Sequence, residues 1–73
     1  MAAAAIEEQR TEDIAFALLA AVLKDLDRST RSDVVALLTY GEPGAAIESL
    51  LFAIEGGLLA PAEIVEAARG AVA

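Results

Sequence analysis

The sequence predicts an all-α fold, a compact antiparallel bundle of about four short helices in a single domain over residues 1–73. Eighteen of the 73 residues are alanine, the strongest helix former. The β-branched residues never alternate with polar ones, as they would in a half-buried strand. Large apolar residues recur at helical spacing instead, and glycine or proline separates the later periodic segments, which indicates tight turns.

The first predicted helix runs from about Thr11 to Asp27, with Thr11 as its N-cap. Residues 1–10 begin with four alanines and lack large apolar periodicity, so we expect an extension that frays. A surface helix has a narrow apolar stripe. Here the apolar residues cover about half of the helix, so it should either be central in the bundle or pair with another subunit. These residues are Ile14, Phe16, Leu18, Leu19, Val22, Leu23 and Leu26.

The second predicted helix runs from about Arg31 to Tyr40. Thr30 and Asp33 resemble a capping box, with Asp in place of the usual Glu. Gly41 should end the helix as a C′ residue with positive φ. The predicted buried face consists of Val34, Val35, Leu37 and Leu38.

The third predicted helix runs from Pro43, which suits the first helical position, to Glu55. Gly56 and Gly57 should stop it. Its expected core residues are Ile47, Leu50, Leu51, Ile54 and, beyond the helix, Leu58. The fourth helix should open at Pro61, continue to about Arg69 and end at Gly70, with Ile64, Val65 and Ala68 facing inward.

Charge limits the class of partner. The chain has twelve acidic and five basic residues and a net charge of −7, so nucleic acid and anionic membranes would repel it and neither is an expected partner. The charge serves either solubility alone or also attraction to a basic protein. No positively charged start precedes a long apolar stretch, as in a secretion signal, so we expect a cytoplasmic location.

Catalysis, cofactors and metals are not expected. The chain has no histidine and no cysteine, which removes the commonest general base, the thiol nucleophile and the usual zinc ligands. Asp25-x-Asp27-x-Ser29 resembles the start of a calcium loop. However, Thr30 and Ala36 stand where that loop needs glycine and glutamate. A solvated turn that caps the second helix is the better interpretation.

The candidate partner-binding residues are acidic or aromatic. Glu48, Phe52 and Glu55 share one face of the third helix, at i, i+4 and i+7. In one interpretation Phe52 packs under the first or fourth helix with the acids at its rim. In the other, Phe52 anchors a basic partner, since aromatic residues are favoured in binding hot spots. Glu42 is a further candidate, although we expect it mainly to cap the free N–H groups of the third helix.

The segment Tyr40–Leu51 resembles the G-E-x-x-x-A-x-E-x-L signature of MafI-type immunity proteins from bacterial polymorphic toxin systems. Gly41, Glu42, Ala46, Glu48 and Leu50 carry the motif, and the similarity extends over residues 33–69. The resemblance implies a cytoplasmic helical protein that binds and neutralises a cognate toxin, often a nuclease domain, by occlusion. The acidic charge suits a basic toxin surface. The alternative is a small self-associating helical interaction module or regulatory subunit, with a homodimer through the first helix.

Overall fold

Four α-helices make up the fold: α1 (Ala2–Val22), α2 (Arg28–Thr39), α3 (Pro43–Glu55) and α4 (Ala62–Val72), with a 3-10 turn over Leu23–Asp25 after α1. The structure, a computed structural model, describes the backbone of residues 2–73 and the side chains of residues 9–73. No strand is present among these residues, so the predicted all-α fold class is confirmed. Residues 2–10 extend the first helix as part of α1, and the fraying of this extension stays a prediction.

The third helix is the centre of the bundle. It packs against each of the other three helices, whereas α1 packs mainly against α3 and α4. Among the described side chains, α3 has more buried residues than any other helix, because its apolar residues recur at helical spacing on one side while Glu48 lies on the other: Ala46, Ile47, Leu50 and Leu51. The broad apolar surface of the first helix had suggested either a central position for α1 or a contact with another subunit, and the structure gives the central position to α3.

The core is aliphatic and rich in alanine. Ile47 and Leu50 are fully buried as predicted, and Ile54 is partly buried. No buried polar or charged side chain is found among residues 9–73. The buried set is Ala15, Leu18, Val22, Leu26, Val34, Ala46, Ile47, Leu50, Leu51 and Ala68. Every aromatic residue of the chain is exposed instead: Phe16, Tyr40 and Phe52.

Val35 was predicted to be buried and is exposed, so that prediction was wrong, and two residues from the broad apolar surface of the first helix are exposed as well. Phe16 is 51% exposed and Leu23 41% exposed on or just after α1, and Val35 is exposed on α2. The reason is that the buried line of the first helix passes through Ala15, where a small side chain lets the neighbouring helices approach closely. A phenylalanine one position later, about 100° further around the helix, therefore points away from that contact.

The second helix starts earlier than predicted. Asp27 is its N-cap, and one carboxylate oxygen accepts a hydrogen bond from the Thr30 amide at 3.0 Å. The predicted Thr30–Asp33 capping box is therefore wrong. Aspartate caps a helix at least as well as threonine, and the buried Leu26 immediately before it fixes the entry of the chain.

Two other predicted helix ends lie inside helices. Thr11 is within α1 and is not an N-cap. The residues before it favour helix by composition, and this preference outweighs a capping signal. Gly70 lies within α4, which continues to Val72. Ala71 and Val72 pack against the core, so their burial offsets the cost of a glycine in a helix.

Both glycine-containing junctions around α3 use the same hydrogen-bond pattern. After α2, Gly41 has φ +75°, its amide donates to Leu38 O at 3.2 Å, and the Glu42 amide donates to Leu37 O at 2.8 Å. After α3, Gly57 has φ +117° and the corresponding bonds go from Gly57 to Ile54 and from Leu58 to Ala53. These are Schellman motifs, and they confirm the predicted role of Gly41.

Neither α1, the longest helix, nor any other helix in the described part of the chain has the length and apolar character that a bilayer crossing requires.

Candidate protein-binding groove

A groove of about 830 Å³ runs between α2 and α3 on the surface of the bundle. The fourth-helix side of the molecule does not contribute to it. From α2 and its cap come Asp27, Thr30, Asp33 and Leu37, and from α3 and its end come Ala45, Glu48, Ser49, Phe52, Ala53 and Gly56. Within each set the residues recur mainly every three or four positions, so each helix contributes one face. Asp25, Leu26 and Leu58 complete the lining.

The groove is apolar inside and acidic at its edge. Leu26 is buried, and Leu37, Ala53 and Leu58 are partly buried. Four exposed carboxylates surround them: Asp25, Asp27, Asp33 and Glu48. No lysine or arginine lines the groove. We call these thirteen lining residues the acidic groove.

The carboxylates of the acidic groove lie along its edge and do not converge on one point. No group of three or more acidic side chains in the described part of the chain is close enough to hold a metal ion. The negative potential therefore extends along the groove, which suits a partner with several separated positive charges better than a single cation.

Asp27 is held in its ionised form. The Thr30 hydroxyl and then the Thr30 amide donate hydrogen bonds to its carboxylate, which lowers the pKa of Asp27 below its ordinary value of 3.8. Hydrogen bonds to the charged form stabilise that form. The residue that caps α2 thus also gives one end of the acidic groove a persistent negative charge.

Phe52 is 79% exposed at the side of the acidic groove. Of the two interpretations of Phe52, the one in which it packs under the first or fourth helix is therefore wrong. The residues of α3 that form its buried side are Ala46, Ile47, Leu50 and Leu51, and Phe52 lies on the opposite side of the helix at 100° per residue. An aromatic ring next to an apolar groove remains available for contact with a partner.

Only two of the four predicted partner-binding residues meet in the groove, namely Glu48 and Phe52. Glu55 points toward α4, where its Oε1 lies 3.8 Å from Arg69 Nη1. Glu42 occupies the N-cap position of α3, but its side chain makes no capping hydrogen bond, so that prediction is wrong. Glutamate is not among the short polar residues that reach the first-turn amides. The backbone of Glu42 takes part instead, since its carbonyl accepts from the Ala46 amide at 3.1 Å.

Sequence reasoning did not find the acids from the second helix. Asp27 and Asp33 were assigned to a turn and a cap, and nothing placed them beside Glu48. Their i, i+3, i+6 spacing with Thr30 was a visible signal for one polar face. That signal becomes a site only once α2 is known to pack against α3.

A second, smaller cleft lies between α1 and α4 and has different chemistry. Its volume is about 480 Å³, and its lining is small or apolar apart from Arg10 and Thr11. It contains no acidic residue. The contrast shows that the acidic character belongs to the α2–α3 groove and not to every concave surface of this acidic chain.

Comparison of the chain with protein-family models, curated proteins and solved structures finds no match. The resemblance to MafI-type immunity proteins stays a prediction that depends on the segment Tyr40–Leu51. Any statement on function must therefore be argued from the acidic groove and the charge of the chain.

Proposed function

We propose that this chain is a non-catalytic binding protein that covers a basic surface of another protein with its acidic groove. The observation that carries the proposal is the combination of four exposed carboxylates, an apolar interior and the exposed ring of Phe52 in a groove without a basic residue. We propose further that the partner is a bacterial toxin domain, and that the chain acts as its cytoplasmic immunity protein.

Electrostatics favours a basic protein partner. The net charge of −7 attracts a positive surface from a distance and raises the rate of encounter. At contact, the carboxylates around the groove would pair with basic side chains of the partner. The apolar residues inside the groove would exclude water from the interface. Such complementary potentials contribute to specificity and association rate more than to affinity alone.

Occlusion is the mode of action that fits these properties. A nuclease grips phosphate through a basic surface, and an acidic protein bound there would compete with the nucleic acid. Phe52 would supply the apolar anchor, because aromatic residues in desolvated pockets account for much of the binding energy of protein interfaces. This mechanism requires no catalytic group on the immunity protein.

The proposal is tested by measuring whether the chain binds a toxin domain and whether it protects cells that produce that toxin. The chain is mixed with a basic toxin domain encoded beside its own gene, and the complex is measured by size-exclusion chromatography with light scattering. We expect a 1:1 complex, and we expect cells that produce both proteins to survive. A toxin that neither binds the chain nor is neutralised by it would refute the immunity function.

A second candidate function, a self-associating helical module or regulatory subunit, depends on a different surface. Phe16 and Leu23 are exposed seven residues apart on one side of the first helix and its 3-10 extension. Light scattering of the isolated chain distinguishes the two functions. A stable dimer that the double substitution Phe16→Glu and Leu23→Glu converts to monomer would favour self-association.

A further inference from the structure

We infer that the acidic groove accepts one basic amphipathic helix of about three turns from the partner protein. This inference depends on the proposed function, since it names the element of a basic partner that the chain contacts. Its basis is the geometry of α2 and α3, the small residues between them and the placement of the charges.

The length of the groove sets the length of the occupant. On α3 the lining extends from Ala45 to Gly56, which is about 16 Å at a rise of 1.5 Å per residue. An incoming helix that lies along this face would therefore make contacts over about three turns. The face it covers is the side of α3 opposite its buried residues Ile47 and Leu50.

A helix suits this groove better than an extended strand. Both long sides of the groove are helices, whose backbone groups bond within the helix. Extended peptides gain their affinity by pairing with a sheet edge, and residues 2–73 contain no strand. A strand would thus leave its own amides and carbonyls without partners in the apolar interior of the groove, whereas a helix satisfies them internally.

Small residues of α3 allow the close approach that helix packing requires. Ala45, Ser49, Ala53 and Gly56 all line the groove and recur at intervals of four, four and three residues. Packed helices lie 8–10 Å apart depending on the side chains at the contact, and a track of small residues favours the lower distance. Larger apolar side chains of the occupant would then contact Leu26, Leu37 and Leu58.

The charges define the occupant's polar sides. Asp33 lies on the α2 side of the groove and Glu48 on the α3 side, while Asp25 and Asp27 lie at the end distant from the α2–α3 junction. Lysine or arginine residues on both flanks of the occupant's apolar stripe would meet these carboxylates. A second copy of this chain is a poor occupant, because its groove-lining helices carry the same acids and its net charge is also −7.

The experiment uses two capped 15-residue peptides of identical composition. In the first, leucines follow i, i+3, i+4 and i+7 spacing with lysines on both flanks. In the second, the order is permuted so that leucine and lysine are spread evenly around the helix. Binding of each peptide to the full chain is measured by fluorescence anisotropy at low and physiological salt, and amide shifts are mapped by NMR.

Matched substitutions locate the binding site. Phe52→Ala should weaken binding of the amphipathic peptide about tenfold, while Tyr40→Ala, a change at an equally exposed aromatic (82%) outside the groove, should not. Asp33→Asn with Glu48→Gln should weaken binding and flatten its salt dependence. Glu12→Gln with Glu66→Gln removes the same charge from exposed positions outside the groove and is the control. Asp27 is left unchanged because it caps α2.

We expect preferential binding of the amphipathic peptide, with amide shifts at Asp33, Ser49 and Ala53. Equal binding of both peptides, no binding, shifts confined to α1 or α4, or insensitivity to Phe52→Ala would each overturn the inference. Concentration-dependent self-association that blocks the groove would identify a second copy as the occupant and overturn it too. If the helix-binding inference were overturned but the chain still neutralised a basic toxin, the proposed immunity function would survive. If the peptide bound as expected but no toxin were neutralised, only the proposed immunity function would fail.

Discussion

The two sides of α3 have opposite chemistry although they belong to the same thirteen-residue helix. One side buries Ala46, Ile47, Leu50 and Leu51 against the rest of the bundle. The other side exposes Glu48 and Phe52 to the acidic groove. The comparison teaches that the fold and the binding surface depend on separate residues of one element, so each can be altered without the other.

This separation has a physical cause. The buried side contains only aliphatic residues, whose contribution is the removal of apolar area from water. The groove side contains charged and aromatic groups that remain solvated in the free protein and gain energy only when a partner desolvates them. Mutations on the first side should therefore change stability, and mutations on the second should change association.

The largest expected effect is on the buried side. Leu50→Ala should lower the free energy of unfolding by about 2–5 kcal/mol, because it removes a fully buried leucine and leaves a cavity. That is a large share of the stability of so small a domain. Phe52→Ala on the groove side should change stability by less than about 0.5 kcal/mol. Urea unfolding followed by circular dichroism measures both, and equal losses for the two variants would contradict the division between the sides.

Charge reversal on the groove side should act on association. Glu48→Lys should leave helicity intact and slow association with a basic toxin domain about tenfold at low salt, because it opposes electrostatic steering at the groove. The effect should shrink at physiological ionic strength, where the Debye length is about 8 Å.

Glu55→Lys is the matched control for this reversal. It changes the net charge equally but lies outside the groove and breaks the exposed ion pair with Arg69, which is worth at most about 1 kcal/mol. Stopped-flow association rates compare the two variants and their combination. A larger rate effect from Glu55→Lys would place the contact surface nearer α4.

A backbone substitution at the α2–α3 junction tests what holds the second helix beside the groove. Gly41→Ala should cost about 1–2 kcal/mol, because an alanine there must adopt φ +75°. Gly70→Ala should be neutral or stabilising by up to about 1 kcal/mol, since Gly70 is helical and a Cβ there meets no atom within 4 Å. The thermal midpoints of the two variants measure this difference. If Gly70→Ala lowered the midpoint as much as Gly41→Ala, the positive φ of Gly41 would not explain the loss of stability.

The smallest expected effect concerns Asp27, the one groove acid that also has a structural role. Asp27→Ala should lower the thermal midpoint at neutral pH, because the first turn of α2 loses its cap. The folded-state pKa of Asp27 lies below 3.8, so its contribution is present above that value and is lost as the pH falls through the folded-state pKa.

The difference in midpoint between the parent chain and Asp27→Ala should therefore shrink at strongly acidic pH. Asp27→Asn should retain much of the cap at every pH, since asparagine is also a good N-cap. Asp25→Ala, a change at an exposed neighbouring carboxylate that caps no helix, is the control. A midpoint difference that stayed constant down to strongly acidic pH would exclude the ionised cap as its cause.

By itself the sequence determined the local features of this protein. The bounds of α3 were predicted correctly because Pro43 and the Gly56–Gly57 pair act on their own backbone. The positive φ of Gly41 and the burial of Ile47 and Leu50 also followed from residue type and helical spacing. The helix bounds and the positive φ depend on interactions within one or two turns of chain, and the buried side of α3 could be predicted because its large apolar residues recur at helical spacing.

Only the tertiary structure decided which apolar residues remain exposed and which acids meet. Phe16 and Phe52 are large apolar residues of the kind usually found in a core, yet both are exposed, whereas Ala15 and Ala46 on the same two helices are fully buried. Close contacts between helices favour small side chains. The acidic groove joins Asp33 to Glu48 only because α2 packs against α3. Helical periodicity specifies the direction in which a side chain points around the axis of its own helix. The position of the neighbouring helix is set by the packing of all four helices together.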